Sequence, residues 1–188
     1  ISIGVHTLTM FTSPHDGYVT PVPSDSLAIS GSSALTKDIS ATDTEIEIES
    51  VEFFTYLGET HTAKIGKELV GYREVTTEKP YKLLGCTRGQ FGTKASAHKQ
   101  GERIDKVLNT CYSGFFPDMN LSDVYGQRLA EVCNETGIAL MDFDGYYGGS
   151  PTGHGCMGAA KFLMEWFDGL NEKNMISCGS SPFHYWWH

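Results

Sequence analysis

The chain has 188 residues, of which 40% are hydrophobic and 20% are charged, a globular composition long enough for one domain or two small ones. Its formal net charge is −9 and it has no basic cluster, which argues against nucleic acid as a partner. No apolar run approaches the roughly 18 residues that a membrane span needs. The five cysteines are scattered without a CxxC pair, so neither a zinc ribbon nor a dithiol redox motif is supported.

The first segment, residues 1–8, is apolar and is expected to form a strand that contains His6. A loop rich in Ser, Pro, Asp and Gly follows up to Pro23. Neither end of the chain has the polar, frayed character of most natural termini. We therefore expect the sequence to be a piece of a longer protein, completed by a remaining segment or by another chain.

Residues 21–108 have the pattern of an all-β domain. Thr44 to Glu49 alternate polar and apolar side chains with a period of two, as a half-buried strand does. A later segment predicts a hairpin that turns near Gly66. Helical periodicity is absent from this zone. Strands are expected within residues 44–49, 62–72, 81–89 and 101–107.

Residues 109–188 change to alternating helices and strands. A helix is expected to begin at 120–123, where Ser122 can cap the backbone and Asp123 suits the positive end of the helix dipole. Gly137 is expected to end it. An apolar strand, an amphipathic helix and a third strand are expected at residues 138–144, 159–171 and 174–179.

These three zones predict an α/β protein with an inserted all-β domain, built on a partial (β/α) TIM-type barrel. Residues 1–20 would supply the first barrel strand and its loop, residues 21–108 the inserted domain, and residues 109–188 the continuing barrel. Alternating strands and helices favour parallel sheets with right-handed crossovers. Loops at the strand C-termini tolerate insertions of this kind.

The most informative stretch is 138–145, an apolar run that ends in Asp142, Asp144 and a glycine. Side chains two apart on a strand point to the same face, so both carboxylates would leave the strand end together. In sheets built from βα units, ligands bind at that end. The alternative is an ordinary Asp-Gly turn. For Asp142 alone, a buried structural carboxylate is the favoured interpretation.

Residues 85–101 carry the pattern C-T-R-G-x-x-G-T-x-A-x-x-H-x-x-G. It resembles a small β module that recurs in phage tail proteins and in some bacterial polysaccharide-degrading proteins. Segments 4–8, 18–23 and 143–145 resemble a group of large bacterial proteins assigned as glycoside hydrolases with a TIM-type barrel. The resemblance covers most of the chain. It implies processing of an oligosaccharide or polysaccharide, in the periplasm or outside the cell.

Glycoside hydrolysis usually needs two carboxyl groups, roughly 5 Å apart for retention and 6.5–9.5 Å apart for inversion. Asp142 and Asp144 share one strand face and are not expected to straddle a sugar. We therefore assign Asp144 as the catalytic carboxylate and Asp142 as its support. Within the chain, Asp16 and Asp118 are weaker loop candidates for the second carboxylate, which could also lie outside this sequence.

Further side chains are expected beside Asp144. His6 is expected near the C-terminal end of a barrel strand, where residues more often serve function than stability. A histidine within an apolar strand is nevertheless more often a core residue. His154 lies in the loop after Asp144. Aromatic faces suit stacking on sugar rings, but the tryptophans could equally pack in a core. The substrate-binding candidates are His6, Tyr146, Tyr147, His184, Trp186, Trp187 and His188.

Two other functions remain open on the sequence. One is a module that holds a polysaccharide without cutting it. The other is a metal-dependent hydrolase that uses His6, Asp144, His184 and His188, although no HExxH pattern supports it. We assign no metal ligands and expect no cofactor. Arg88 and His98 of the module are expected to bond backbone carbonyls and fix tight turns.

Overall fold

The structure is a computed structural model that describes residues 3–55, 61–110, 113–145, 154 and 156–179. The chain divides into two compact units, here called the sheet–helix unit (Ile1–Phe11 and Phe116–His188) and the β unit (Thr12–Phe115). The described residues form the strands β1 (Gly4–Leu8), β2 (Ile29–Ala34), β3 (Glu45–Glu47), β4 (Thr62–Ile65), β5 (Glu68–Gly71), β6 (Glu74–Val75), β7 (Lys82–Leu84), β8 (Arg103–Val107), β9 (Leu140–Asp144) and β10 (Ile176–Gly179), and the helices α1 (Met119–Thr136) and α2 (Cys156–Gly169).

The sheet–helix unit is built on a parallel sheet of three strands in the order β1-β9-β10. Side chains of a strand alternate between its two faces. Met141 and Phe143 of β9 are buried on one face. The Phe143 ring meets the Phe162 and Trp166 rings of α2 edge to face, with centroids 6.0 and 4.9 Å apart. Asp142 and Asp144 therefore lie on the opposite face, away from the helices.

The two helices pack closely because one contact point lacks a side chain. A Cβ atom at Gly126 of α1 would lie 2.6 Å from the Phe162 carbonyl oxygen of α2, a distance that no larger residue tolerates. Ala130 and Cys133 continue the buried face of α1 toward the same core. Among the described residues, no helix combines the length and apolar character that crossing a membrane requires.

The ends of α1 follow local chemistry. Gly137 adopts the left-handed conformation, with φ of 69°, and ends the helix as expected. The cap at the start is Asp118, whose carboxylate accepts a hydrogen bond of 2.9 Å from the Leu121 backbone N–H. The prediction that Ser122 caps the helix is wrong, because Ser122 is already inside the helix and buried.

The β unit contains two antiparallel sheets, with orders β2-β8-β4-β5 and β3-β7-β6. The predicted hairpin is present, since β4 and β5 pair across a turn at Gly66, where φ is +54°. Alternation in the predicted strand at 44–49 is also confirmed, because Ile46 is fully buried between two more exposed glutamates. The hydrophobic core of the β unit includes Leu35, Ile46, Ile65, Leu83 and Ile104.

The predicted α/β fold on a partial TIM-type barrel is wrong. The described residues form three small sheets and two helices, a mixed structure made mostly of strands. Only three of the described strands are parallel, and the other seven pair antiparallel. A TIM barrel closes eight parallel strands into a ring. In the described residues, the alternating strands and helices therefore form a three-stranded parallel sheet and not a barrel.

Candidate functional site

Four polar side chains lie close together on the face of the parallel sheet that is turned away from α1 and α2. The strand register places His6 of β1 and Cys178 of β10 directly opposite Asp142, one on each side. Asp144 lies two residues further along β9, on the same face and at the strand end. The alternation that buries Met141 and Phe143 against the helices thus exposes this row of ionisable groups.

His6 lies between the two aspartates. Its Nδ1 is 2.8 Å from Asp142 Oδ2, a hydrogen-bond distance, and its Nε2 is 3.6 Å from Asp144 Oδ2, an ion-pair distance. The side chains stay accessible, with 62% of His6, 36% of Asp142 and 35% of Asp144 exposed. Asp142 therefore fixes the orientation of the imidazole, while the Nε2 side can still be reached by a ligand.

The charges of this group reinforce one another. The hydrogen bond to Asp142 raises the pKa of His6 above its ordinary value, against a smaller opposing effect of desolvation, and both aspartate charges add to the rise. The hydrogen bonds from His6 and from Cys178 hold the pKa of Asp142 below its ordinary value. Both shifts extend the pH range in which a protonated imidazole faces an ionised Asp142 carboxylate.

Cys178 is a neighbour that the sequence did not single out. Its thiol donates to Asp142, and this hydrogen bond raises the pKa of the thiol, so Cys178 stays protonated near neutral pH. The thiol is consequently a second support for Asp142 and not a thiolate nucleophile. Its place in the middle of a predicted strand, at the same alternation as Asp142, was the only signal in the sequence.

The arrangement has the parts of an acid–base site. A histidine held by a carboxylate through Nδ1 presents Nε2 for proton transfer, which is the common design of histidine catalysis. Asp144 lies beside that nitrogen and can stabilise positive charge or attack an electrophilic carbon. The sequence led us to expect His6 beside Asp142 and Asp144, and the structure brings these three side chains into contact.

The other candidates do not join this group in the described part of the chain. Asp16 accepts a hydrogen bond of 2.9 Å from the Tyr18 backbone N–H in a turn of the β unit. Asp118 caps α1. His154 is exposed, and its carbonyl accepts from the Met157 N–H at the start of α2. Six further candidates lie outside the described residues: Tyr146, Tyr147, His184, Trp186, Trp187 and His188.

The motif residues of the β unit form a second, buried polar group around Glu68. Arg88 donates from Nε and Nη2 to the two Glu68 oxygens, each at 2.8 Å, and His98 Nε2 lies 2.9 Å from Glu68 Oε2. Burial opposes the ionisation of Glu68, but these bonds outweigh it and lower its pKa. Arg88 also bonds the carbonyls of Ser40 and Ser96, as expected, whereas the partner Glu68 was missed.

Within the described ranges, no group of three or more His, Cys, Asp or Glu side chains has an arrangement that could hold a metal ion. Of the four residues in the metal hypothesis, His6 and Asp144 are close together, and His184 and His188 lie outside the described residues. The two described members pair with each other and with Asp142 as an ionic group.

No protein-family model matches the chain, and no curated protein is significantly similar to it. The resemblance of residues 85–101 to a module of phage tail and polysaccharide-degrading proteins therefore stays a prediction. The function has to be argued from the side chains on the parallel sheet and from their geometry.

Proposed function

We propose that the protein is a carbohydrate-active hydrolase that cleaves glycosidic bonds in an oligosaccharide or polysaccharide, with Asp144 and His6 as the catalytic residues and Asp142 as the positioning residue. The observation that carries the proposal is the contact of one imidazole ring with both aspartates, at 2.8 and 3.6 Å, on an accessible sheet face. A location in the periplasm or outside the cell fits such a substrate.

Histidine supplies the acid that the two aspartates by themselves lack. Asp142 and Asp144 leave the same face of one strand, so they cannot act from opposite sides of a sugar. His6 comes from the neighbouring strand, and its hydrogen bond to Asp142 raises its pKa, which favours the protonated form. An imidazolium beside a carboxylate would fill the acid and nucleophile roles that two carboxyl groups usually fill in glycoside hydrolysis.

The reaction follows in two steps. A carboxylate oxygen of Asp144 attacks the anomeric carbon, the bond from that carbon to the leaving oxygen breaks, and the leaving oxygen takes its electron pair and the Nε2 proton of His6. Water then attacks the same carbon, neutral His6 accepts the water proton, and Asp144 leaves as carboxylate. The hydrogen bond from Nδ1 to Asp142 persists throughout and holds the ring.

The distance between the two catalytic groups favours retention of the anomeric configuration. An inverting site separates its groups by about 6.5–9.5 Å to admit a water molecule. His6 Nε2 and Asp144 Oδ2 are 3.6 Å apart, which is nearer to the roughly 5 Å of retaining sites than to the inverting range, and the two exposed side chains must move apart to admit the anomeric carbon. Direct attack by Asp144 is therefore the better mechanism.

Binding without cleavage is the second candidate, and one observation favours it. The exposed fractions of His6, Asp142 and Asp144 mean that water reaches all three side chains. Catalytic groups gain much of their strength from exclusion of water. A group this accessible would hold sugar hydroxyls through charged hydrogen bonds at little structural cost.

The test is a glycan screen with product analysis, followed by Asp144→Asn on the substrate found. We expect this change to lower turnover at least about 100-fold, because it removes the nucleophile while keeping the shape of the side chain. The matched control is Asp168→Asn, an exposed aspartate on α2 of the same unit, for which turnover stays unchanged.

Two outcomes contradict the proposal. If Asp144→Asn cleaves the substrate as fast as the unchanged protein, the catalytic assignment of Asp144 is wrong. If the protein binds a glycan but releases no product, and Asp144→Asn abolishes that binding, the site is a sugar-binding site without hydrolysis. Circular dichroism of both variants verifies that neither change unfolds the chain.

A further inference from the structure

The β unit has a groove of about 560 Å³ on its surface, within the range typical of small-ligand sites. Its floor is the segment Glu47–Ile48–Glu49, flanked by Thr36 on one side and by Lys79 to Tyr81 on the other. Strand alternation explains the lining. Ile48 points into the core and is 1% exposed, so Glu47 and Glu49 point outward into the groove.

Backbone hydrogen bonds fix both walls of the groove. The Thr36 N–H donates to the Glu47 carbonyl at 3.1 Å, and the Ile48 N–H donates to the Tyr81 carbonyl at 3.0 Å. The Glu49 N–H donates to the Ala34 carbonyl at 3.0 Å. The Tyr81 ring also packs against the core. A ligand would therefore meet a shaped surface, and binding would cost little reordering of the backbone.

The polar groups in the groove suit a neutral ligand with many hydroxyls. Glu47 is already paired with Lys37 at 3.1 Å and accepts from the Thr36 hydroxyl at 2.8 Å. Glu49 is exposed and supplies a further carboxylate acceptor. Lys79 supplies a donor. The charges nearly balance, so they do not select an anion or a cation, whereas acceptors, a donor and an aromatic ring together match a sugar.

The Tyr81 ring is the aromatic part of this surface. The Lys79 ammonium lies 5.8 Å from its centroid, in cation–π contact. Lys79 is exposed, so it can leave the ring and donate instead to a sugar hydroxyl when a pyranose ring takes its place. The Lys79 ammonium thus covers the Tyr81 ring in this structure.

We propose that this groove is a carbohydrate-binding site for neutral glycans, in which a sugar ring stacks on Tyr81 and its hydroxyls bond Glu49, Glu47 and Lys79. The site belongs to the β unit and involves none of the acid–base residues on the parallel sheet. It does not depend on the proposed hydrolysis, because binding here needs no bond to break.

The test follows backbone amide signals of the full chain by NMR during titration with cellotriose, maltotriose, xylotriose and mannotriose. The chain carries Asp144→Asn, so that no ligand is consumed by cleavage. We expect saturable shifts at residues 36, 47–49 and 79–81 with at least one trisaccharide. Glu49→Ala should weaken that binding on the order of tenfold, the loss expected for one charged hydrogen bond.

Glu52→Ala is the matched control, since Glu52 is an exposed glutamate of the same unit outside the groove lining, and it should leave the affinity unchanged. Tyr81→Leu keeps an apolar side chain against the core and should also weaken binding. The proposal is overturned if no trisaccharide shifts the groove signals, or if Glu49→Ala binds as tightly as its parent. Saturable binding of trilysine or trigalacturonate in place of the neutral sugars would also overturn it.

Discussion

Each unit of the molecule holds a histidine between two carboxylates, and the two groups differ chiefly in burial. His6 lies between Asp142 and Asp144 and is 62% exposed. His98 lies between Glu68 and Glu102, with its two ring nitrogens each 2.9 Å from a carboxylate oxygen, and is 7% exposed. The same three-residue chemistry therefore occurs once with access to solvent and once almost without it.

The comparison separates a structural role from a chemical one. Glu68 is fully buried and accepts hydrogen bonds from Arg88 and His98 and from the N–H groups of Gly89 and Ser96. A buried carboxylate needs such complete pairing, since each missing partner leaves an uncompensated charge. The side chain of Asp144 is 35% exposed and faces solvent. A ligand can enter the exposed group, whereas the buried group serves to join loops.

The largest expected effect is on the buried group. Glu68→Gln removes the charge that pairs with Arg88, and we expect it to lower the free energy of unfolding by about 3–5 kcal/mol, the usual cost of breaking a buried ion pair. Urea denaturation measures the change. Glu52→Gln, an exposed glutamate in the same unit, is the control and should stay within about 0.5 kcal/mol of the unchanged protein.

Retention of full stability by Glu68→Gln would contradict the comparison. It would mean that burial of the Glu68 group is not what distinguishes it from the exposed group. The pKa of Glu68 is lowered in the folded protein, so its contribution to stability is present above the unfolded pKa. That contribution is lost as the pH falls through the folded pKa.

Replacing a second buried charge of the β unit, that of Lys106, is expected to have an effect of the opposite sign. Lys106 of β8 is 3% exposed, and its Nζ donates to the Val107 carbonyl, 2.9 Å away, and to the Asn109 side chain. Burial lowers its pKa from 10.5 to about 8. Because the charged form is disfavoured in the folded state, Lys106→Met should raise the free energy of unfolding at pH 7 by about 1–3 kcal/mol.

The contribution of Lys106 to the free energy of unfolding should also depend on pH. The folded pKa of Lys106 lies below the unfolded one, so the stability of the unchanged protein should rise between pH 8 and 10.5 as the folded state loses the proton first. Lys106→Met should lack this rise. Urea denaturation at several pH values checks it, and a rise of equal size in the variant would rule out Lys106 as its source.

The exposed group is expected to show the smallest effect on folding and a clear effect on titration. Asp142→Asn should lower the pKa of His6, because the hydrogen bond to Asp142 is the main cause of its rise. NMR titration of the His6 ring protons measures the shift. The raised pKa means that this pair stabilises the fold below the unfolded histidine pKa and that the gain is lost as pH rises through the folded one.

A His6 pKa that does not change in Asp142→Asn would show that the carboxylate does not hold the imidazole in solution. Catalysis by the acid form of His6 would then lose its support. The same variant should shift the alkaline limit of any glycosidase activity to lower pH, in the direction of the His6 pKa.

The sequence predicted local structure well and its assembly poorly. The hairpin at Gly66, the helix end at Gly137 and the alternation around Ile46 depend on neighbouring residues, and each is confirmed. The barrel depended on how strands from distant segments pair, which local patterns do not determine. Asp118 was missed as the cap of α1 because Ser122 lies four positions later, and both residue types can cap a helix.

The site was predicted in the same uneven way. Asp142 and Asp144 could be placed on one face from a period of two, and this placement depends only on their own strand. Their pairing with His6 requires the parallel register of β1 and β9, across 136 residues of sequence. Cys178 and Glu68 were overlooked because each acts only through a partner from a distant segment.

The most direct measurement compares His6→Gln with His98→Gln for turnover on the glycan that the unchanged protein cleaves and for stability in urea. Each variant should lose the property, turnover or stability, that the other keeps. His6→Gln keeps its free energy of unfolding and loses at least about 100-fold in turnover, while His98→Gln is destabilised by about 2 kcal/mol or more and keeps the turnover of its folded fraction. Unchanged turnover in His6→Gln, or equal destabilisation of the two variants, would contradict it.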